Sequence, residues 1–399
     1  MDEINQALAL SLAIRHKMCY SKEVNTSIIG GGFAMGEKVM VGMSGGVDSS
    51  AAAALLLEQG YAVSGATLRL FRNEEIGLHS RTCCSLDDVA DARAVADKLG
   101  IRHYVFSFDE DFRREVIDRF AAEYAAGRTP NPCIDCNRRI KFSKMLARAL
   151  TLGFDKIATG HYARITYDAQ RGRYLLWRAA VRDKDQSYVL YSLTQFELAH
   201  TLFPLGGMSK PEIRAFAESR GLVTARKPDS QDICFVPDGD YARFLEEVYG
   251  LPSLPGDFID TDGRVIGHHP GQLHYTVGQR KGLGVSFGRP MYVLKKDAAA
   301  GTVTLGDEDA LFSDELTADD VNWIACDAPE APLRVTAKTR YSQTDTPATV
   351  IPCGDGRVRV CFDTPVRAVT AGQAVVFYDG DLVVGGGTIL ESGKRRNTQ

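Results

Sequence analysis

This chain of 399 residues lacks three things, and each absence narrows what it does. No apolar run approaches the roughly 20 residues that a helix needs to cross a bilayer, so no transmembrane helix and no membrane partner are expected. There is no surplus of positive charge: 47 Lys and Arg against 51 Asp and Glu leave a net charge of −4. A polyanionic partner would therefore be held by a local basic patch, such as Cys136 to Leu150, and not by the field of the whole molecule. Finally, no second CxxC and no HxxxH accompanies Cys133 and Cys136, which leaves a structural zinc site without half of its four ligands. Cys83 and Cys84 do not repair this, because adjacent residues rarely both reach one tetrahedral ion.

What is present reads as a globular chain, 44% hydrophobic and 25% charged, and too long for one hydrophobic core. Nine cysteines are an odd number, which argues against a secreted disulfide framework and for thiols kept reduced. Acidic residues precede the apolar stretch ALALSLAI and no small-residue cleavage site follows it, so a cytoplasmic location is expected. Residues 1–36 read as an N-terminal extension, a short helix and then a Gly-rich join, with Met35 as an alternative start.

From Lys38 a unit of strand, loop and helix recurs: KVMVGM, then SGGVDSS, then AAAALLLEQG, followed by alternating strands and helices as far as ATGHYA. Such alternation predicts an α/β domain over 37–205 with a doubly wound parallel sheet, whose ligands bind beyond the carboxyl ends of the strands. A capped helix start at Ser209, Pro211 and Glu212 opens a small central domain over 206–285, which carries Cys234. Beyond it, short alternating strands over 286–395, among them PMYVLKKD, TVTLGD and RVRVCFD, predict a β-barrel, although a sandwich gives the same pattern.

The loop VGMSGGVDSS follows a buried-type strand and opens a helix. Gly45 and Gly46 allow backbone N–H groups to approach a phosphate at the helix N-terminus, and Ser44, Ser49 and Ser50 add hydroxyl donors. The lysine of a Walker A loop is absent. The pattern resembles the SGGxDS loop of the adenylating ATP pyrophosphatases, which cleave ATP between the α and β phosphates. The same loop serves synthetases that adenylate a carboxylate for amide formation, so it does not by itself choose the substrate.

A CxxC between prolines in a reduced compartment has three uses: metal ligation, redox exchange, or a nucleophile with a helper. Cys136 precedes NRRIK and is expected near a helix start, where the dipole together with Arg138, Arg139 and Lys141 would lower its pKa. A distant candidate partner is Cys234 in KPDSQDICFVP, a loop that also holds Lys227 and two aspartates.

Six segments, GMSGGVDSS, TPNPCIDCNRRIKF, ATGHYAR, KDQSYVLYSL, KPDSQDICFVP and YTVGQRKGLG, together resemble the bacterial and organellar tRNA-specific 2-thiouridylase family from about Lys38 to Leu390. The family replaces the O2 of the wobble uridine with sulfur. The resemblance implies ATP with Mg2+ bound through Gly42, Met43, Ser44, Gly45, Gly46, Val47, Asp48 and Ser49, with further contacts at Leu68 and Gly160. It implies Cys136 as catalytic nucleophile and Cys234 as carrier of a persulfide, the pair ending as a disulfide. It also implies tRNA contacts at Asn131, Pro132 and Cys133, at Lys184, Asp185 and Gln186, and at Arg340 and Tyr341; these types suit phosphate, base edges and stacking. Lys, Glu and Gln tRNAs are the expected substrates, and a cysteine desulfurase or a sulfur-relay protein the expected sulfur donor. Many members carry Asp where this chain has Cys133. In members proposed to bind a [4Fe–4S] cluster, that Asp is the third ligand; here the set would be Cys133, Cys136 and Cys234, leaving one iron open. The persulfide and cluster routes both remain open at this point.

Overall fold

The computed structural model describes residues 36–71, 86–228, 233–236 and 238–394. Expectations for residues 1–35 and for Cys83 and Cys84 lie outside the described residues.

Three consecutive apolar side chains in KVMVG form the middle of β1 (Lys38–Gly42), and Val39, Met40 and Val41 are fully buried. A continuous apolar strand is what a parallel sheet demands, since helices cover both faces. The chain continues through α1 (Val47–Glu58), β2 (Ala62–Arg69), α2 (Leu86–Leu99) and β3 (His103–Ser107). Helix α3 is built from the contiguous stretches Asp109–Phe112, Arg113–Ile117 and Asp118–Ala125, and helix α4 from Pro132–Asp135, Cys136–Met145 and Leu146–Thr151. The middle stretch of each has the wider π-helical hydrogen bonding, a feature common at functional sites. Then come β4 (Lys156–Ala158), the hairpin β5 (Ala163–Asp168) and β6 (Arg173–Arg178), α5 (Gln195–Ala199), β7 (Thr201–Leu202) and α6 (Lys210–Ser219).

Five strands form a parallel sheet in the order β3-β2-β1-β4-β7. The order reverses at β1, so the crevice where ligands bind in such sheets opens beyond the carboxyl ends of β1 and β4.

Helix α7 (Tyr241–Arg243, continuing as Phe244–Val248) leads to a second sheet, made of β8 (Gly256–Ile259), β9 (Val265–His269), β10 (Tyr292–Asp297) and β11 (Thr302–Gly306) in the order β10-β11-β8-β9. Strands β10 and β11 are the segments PMYVLKKD and TVTLGD, grouped by pattern with the C-terminal strands. Their alternation defines them as strands but names no partner; Val293, Val303 and Leu305 close over Phe258, and so they join this sheet.

The last sheet contains β12 (Phe312–Trp323), β13 (Leu333–Lys338), β14 (Thr346–Pro352), β15 (Val358–Arg367), β16 (Ala374–Asp379) and β17 (Leu382–Gly393). Beyond the order β12-β15-β14-β13-β16-β17, β12 also pairs with β17, which closes a barrel and rules out the sandwich. The β5–β6 hairpin extends this sheet through Trp177 opposite Leu382. Asn322 donates to the carbonyls of Tyr191 and Leu193 at 2.7 and 2.9 Å, and Asp320 pairs with Arg138 of α4. The barrel is thus docked against the helix that carries Cys136. Among the described residues, no helix is long and apolar enough to cross a membrane.

Candidate active site

The loop between β1 and α1 is shaped to receive a phosphate. Gly45 has φ +71°, and a Cβ there would lie 2.5 Å from the Asp88 carbonyl oxygen, so both conformation and space call for glycine. Gly46 is the N-cap of α1 without a side-chain hydrogen bond, leaving the helix's first N–H groups without a capping side chain. Ser44 donates its N–H to Ser49 Oγ at 3.1 Å, and the Ser50 hydroxyl donates to the Gly46 carbonyl at 2.8 Å. Met43 is buried and its carbonyl accepts from Thr67 Oγ1 at 2.8 Å, which pins the loop to β2. Gly42 faces Met145 of α4, and Val47 is buried under the loop. Gly160, just past β4, approaches α1 so closely that a Cβ would lie 2.8 Å from Asp48 C and from Ser49 N. Leu68, on the neighbouring strand, packs against the cores on both sides.

Asp48 is held from outside the loop. Lys210 Nζ lies 2.8 Å from each carboxylate oxygen, and the Tyr162 hydroxyl donates to Oδ1 at 2.6 Å. Lys210 and Tyr162 went unnoticed in the sequence, although a signal existed. A lysine in the first turn of a helix opposes the helix dipole, and at Lys210 in α6 that calls for a carboxylate partner. Ser209 and Glu212 do form the expected cap, the Glu212 carboxylate accepting from Ser209 N at 2.8 Å and from its Oγ at 2.7 Å.

The thiols lie at the same end of the sheet. Cys136 is 7% exposed and belongs to one apolar cluster with Leu70 and Phe71, which follow β2, and with Phe112, Phe120 and Phe235; Cys234 packs against that cluster. Cys133, Cys136 and Cys234 are all free thiols. The expected lowering of the Cys136 pKa does not occur. Cys133, not Cys136, occupies the first turn of α4, where Asn131 Oδ1 caps its N–H at 3.2 Å. Arg138 is taken by Asp320, and Arg139 by Glu115 at 3.2 Å and Asp135 at 3.4 Å. Burial therefore dominates and pushes the Cys136 thiol up to about 11, with Lys141 pulling against it and Cys133 and Asp135 adding to it. Cys133 is exposed, yet the crowding around it also raises its thiol, with Lys141 pulling against it. His161, bonded to Thr159 Oγ1 at 2.7 Å and flanked by Phe142 and Phe203, is held neutral by burial, well below the usual imidazole range.

Of the positions matched to tRNA contacts, Tyr341 is the one that the structure brings to both Asp185 and Cys133. Tyr341 is exposed, its hydroxyl donates to the Asp185 carbonyl at 3.1 Å, and Cys133 is close enough to act on it electrostatically. Pro132 is buried at the start of α4, and Lys184 is exposed. Asp185 is 9% exposed and its carboxylate accepts from Ala179 N, Ser187 N and Ser187 Oγ. Gln186 Oε1 accepts from Tyr162 N at 3.0 Å, and Arg340 donates to Ala368 O, Val277 O and Thr370 Oγ1. Asp185 and Arg340 therefore shape the surface that Lys184 and Tyr341 present. Among the described residues, no three His, Cys, Asp or Glu side chains are gathered as a metal site, so Cys133, Cys136 and Cys234 do not form a ready cluster cradle.

Three family models match consecutive parts of the chain: the tRNA methyl transferase HUP domain over 37–238, the tRNA methyl transferase PRC-barrel domain over 242–307, and the aminomethyltransferase beta-barrel domain over 313–389. The tRNA-specific 2-thiouridylase MnmA of Acetivibrio thermocellus is 57% identical over 355 residues, 88% of this chain and 99% of that protein. Those of Heliobacterium modesticaldum and Clostridioides difficile are 54% and 50% identical, each over 90% of this chain and over 94% and 99% of their own length. With the phosphate loop, the paired thiols and the three domain types all present, the chain belongs to the tRNA-specific 2-thiouridylase family.

Proposed function

We propose that this protein catalyses ATP-dependent 2-thiolation of the wobble uridine of tRNA, with Lys, Glu and Gln tRNAs as substrates. The observation that carries the reading is the meeting of Cys136 and Cys234, distant in sequence, in one cluster at the sheet end that bears the phosphate loop. An amide-forming synthetase would need the loop and neither thiol.

ATP, with Mg2+ as its counter-ion, is held by the backbone of Gly42 to Ser49, with Leu68 and Gly160 closing the nucleotide cleft. Uridine O2 attacks the α-phosphate, pyrophosphate leaves, and N3 gives up its proton, so that a poor leaving group becomes AMP. Cys234 carries the sulfur as a persulfide, loaded by a cysteine desulfurase or a relay protein. Its terminal sulfur bonds to C2 and AMP departs. Cys136 then attacks the Cys234 sulfur, the C2–S bond stays with the base, and N3 recovers a proton from the Cys136 thiol. The products are 2-thiouridine and a Cys136–Cys234 disulfide, which two external thiols reduce before the next turnover. Such chemistry suits a reducing, cytoplasmic setting.

The persulfide route is supported by the packing of Cys136 and Cys234 in one cluster, and among the described residues no three His, Cys, Asp or Glu side chains are gathered as a metal site. Asn131 to Cys133, Lys184 to Gln186 and Tyr341 form the rim on which the anticodon loop rests, with Tyr341 able to stack on an extruded base. Cys136→Ala should abolish 2-thiouridine formation on a suitable tRNA transcript while ATP binding persists; undiminished thiolation would remove the proposal.

A further inference from the structure

Lys338, the last residue of β13, holds its ammonium beside two aromatic rings where the barrel meets the α/β domain. Its Nζ lies 5.8 Å from the ring centroid of Tyr188, in the α/β domain, and 5.6 Å from that of Tyr341, in the barrel. The two rings meet edge to face, with centroids 6.1 Å apart and planes at 68°. Tyr188 is fully buried and its hydroxyl donates to the Ala374 carbonyl at 2.9 Å, whereas Tyr341 is 44% exposed. Lys338 itself is half-buried. The other charged groups that act on it are committed elsewhere. The Asp185 carboxylate accepts from Ala179 N at 2.9 Å and from Ser187 Oγ at 2.8 Å. Asp345 accepts from Thr336 Oγ1 at 2.6 Å and pairs with Arg178 at 3.0 Å, and Arg182 pairs with Asp381. Lys338 Nζ forms no hydrogen bond or ion pair among the described residues.

We propose that Lys338 is a phosphate anchor for tRNA: its ammonium binds a phosphodiester oxygen of the anticodon loop while the adjoining Tyr341 ring receives a base. This rests on the reading of the protein as a tRNA-thiolating enzyme. An ammonium has three N–H donors and no acceptor, and holding it half out of water without an anion is costly. The two rings offset part of that cost through their negative faces. Burial still lowers the Lys338 pKa, with Asp185 and Asp345 pulling against burial and Arg178 and Arg182 adding to it. A phosphate supplies the negative charge that the fold withholds. Lysine suits the task as a compact point charge, which meets a phosphate oxygen without the fixed planar geometry of arginine. A cation for the backbone beside an exposed ring for a base is also how single-stranded RNA is commonly held.

The test is the salt dependence of binding between the full-length protein and an unmodified tRNA transcript, read by fluorescence anisotropy without ATP. Losing one phosphate contact on a single-stranded loop should reduce the slope of log K against log salt by about 0.7, equivalent to about fivefold weaker binding at about 0.1 M salt. Lys338→Met should show both effects, and Lys338→Arg should keep the parent's slope. ATP binding should be unchanged in both variants, which separates a tRNA phosphate from a nucleotide phosphate. If Lys338 only props the Tyr341 ring, Lys338→Met weakens binding but retains the parent's slope. The parent's slope in Lys338→Met, or a loss of ATP binding instead of tRNA binding, overturns the proposal. Lys338→Gln serves as the test if Lys338→Met does not fold. A parent that binds no tRNA removes the functional reading and the anchor together, whereas an unchanged slope in a protein that binds tRNA removes the anchor alone.

Discussion

Alkylation of Cys136 by iodoacetamide should rise about tenfold with each pH unit from pH 7 to about pH 10, where an ordinary thiol levels off near pH 9. The cause is burial, which pushes this thiol up to about 11. At pH 8, roughly 0.1% of such a thiol is ionised, against about 24% of one with the usual pKa of about 8.5, a deficit of about 240-fold. A more basic thiolate is the better nucleophile, and a Brønsted slope of about 0.4 to 0.5 recovers about 10- to 18-fold. The net expectation is labelling about twentyfold slower at pH 8 than in the same chain unfolded in urea, before any steric protection. Steric protection lowers the whole curve without changing its slope, so the pH profile is the diagnostic. Labelling across pH 7 to 10.5, with the Cys136 peptide quantified by mass spectrometry, reads it directly. A plateau below pH 9 at Cys136 in the folded protein would refute the reasoning, and would mean that Lys141 outweighs burial.

Gly160→Ala should weaken ATP binding about tenfold or more and cost about 1 to 3 kcal/mol of stability, because its Cβ would lie 2.8 Å from backbone atoms at the start of α1. Gly207→Ala, with nothing within 4 Å, should do neither; calorimetric titration and urea unfolding compare the two, and equal behaviour would contradict the geometry. Lys296 is 7% exposed, its Nζ has no hydrogen-bond partner among the described residues, it lies 5.2 Å from the Tyr124 ring centroid, and burial lowers its pKa to about 8. Between that value and the usual lysine value of about 10.4 the unfolded chain binds more protons, so the parent's stability rises with pH across this window and is lost as pH falls through it. Lys296→Met should therefore stabilise the protein at pH 7 by about 1 to 3 kcal/mol, less the lost cation–π contact, and the gain should fade towards pH 10. A lower urea midpoint at pH 7, or a gain independent of pH, would count against this.

Local pattern carried much of the protein. Strand-loop-helix alternation sufficed for the parallel sheet, because apolar runs such as KVMVG have no stable place except between two helical layers. The Gly-Gly turn sufficed for the phosphate loop, because only glycine accepts φ +71° with a neighbouring carbonyl oxygen so near. The Ser209 and Glu212 cap is likewise local, the two groups lying three residues apart. Partners and charge states were not legible in this way. Lys210 meets Asp48, and Lys227 meets Asp88, across sequence separations of 162 and 139 residues, and no spacing rule reaches so far. Arg138 and Arg139 look in the sequence like activators of Cys136, yet the fold gives them to Asp320, Glu115 and Asp135 and encloses the sulfur among aromatic rings. Sequence alone determined which elements form, since those follow from short-range sterics, periodicity and residue type. Only the tertiary structure decided which groups meet, which strands close the barrel, and whether Cys136 rests as thiol or thiolate, since a pKa depends on everything packed around the atom.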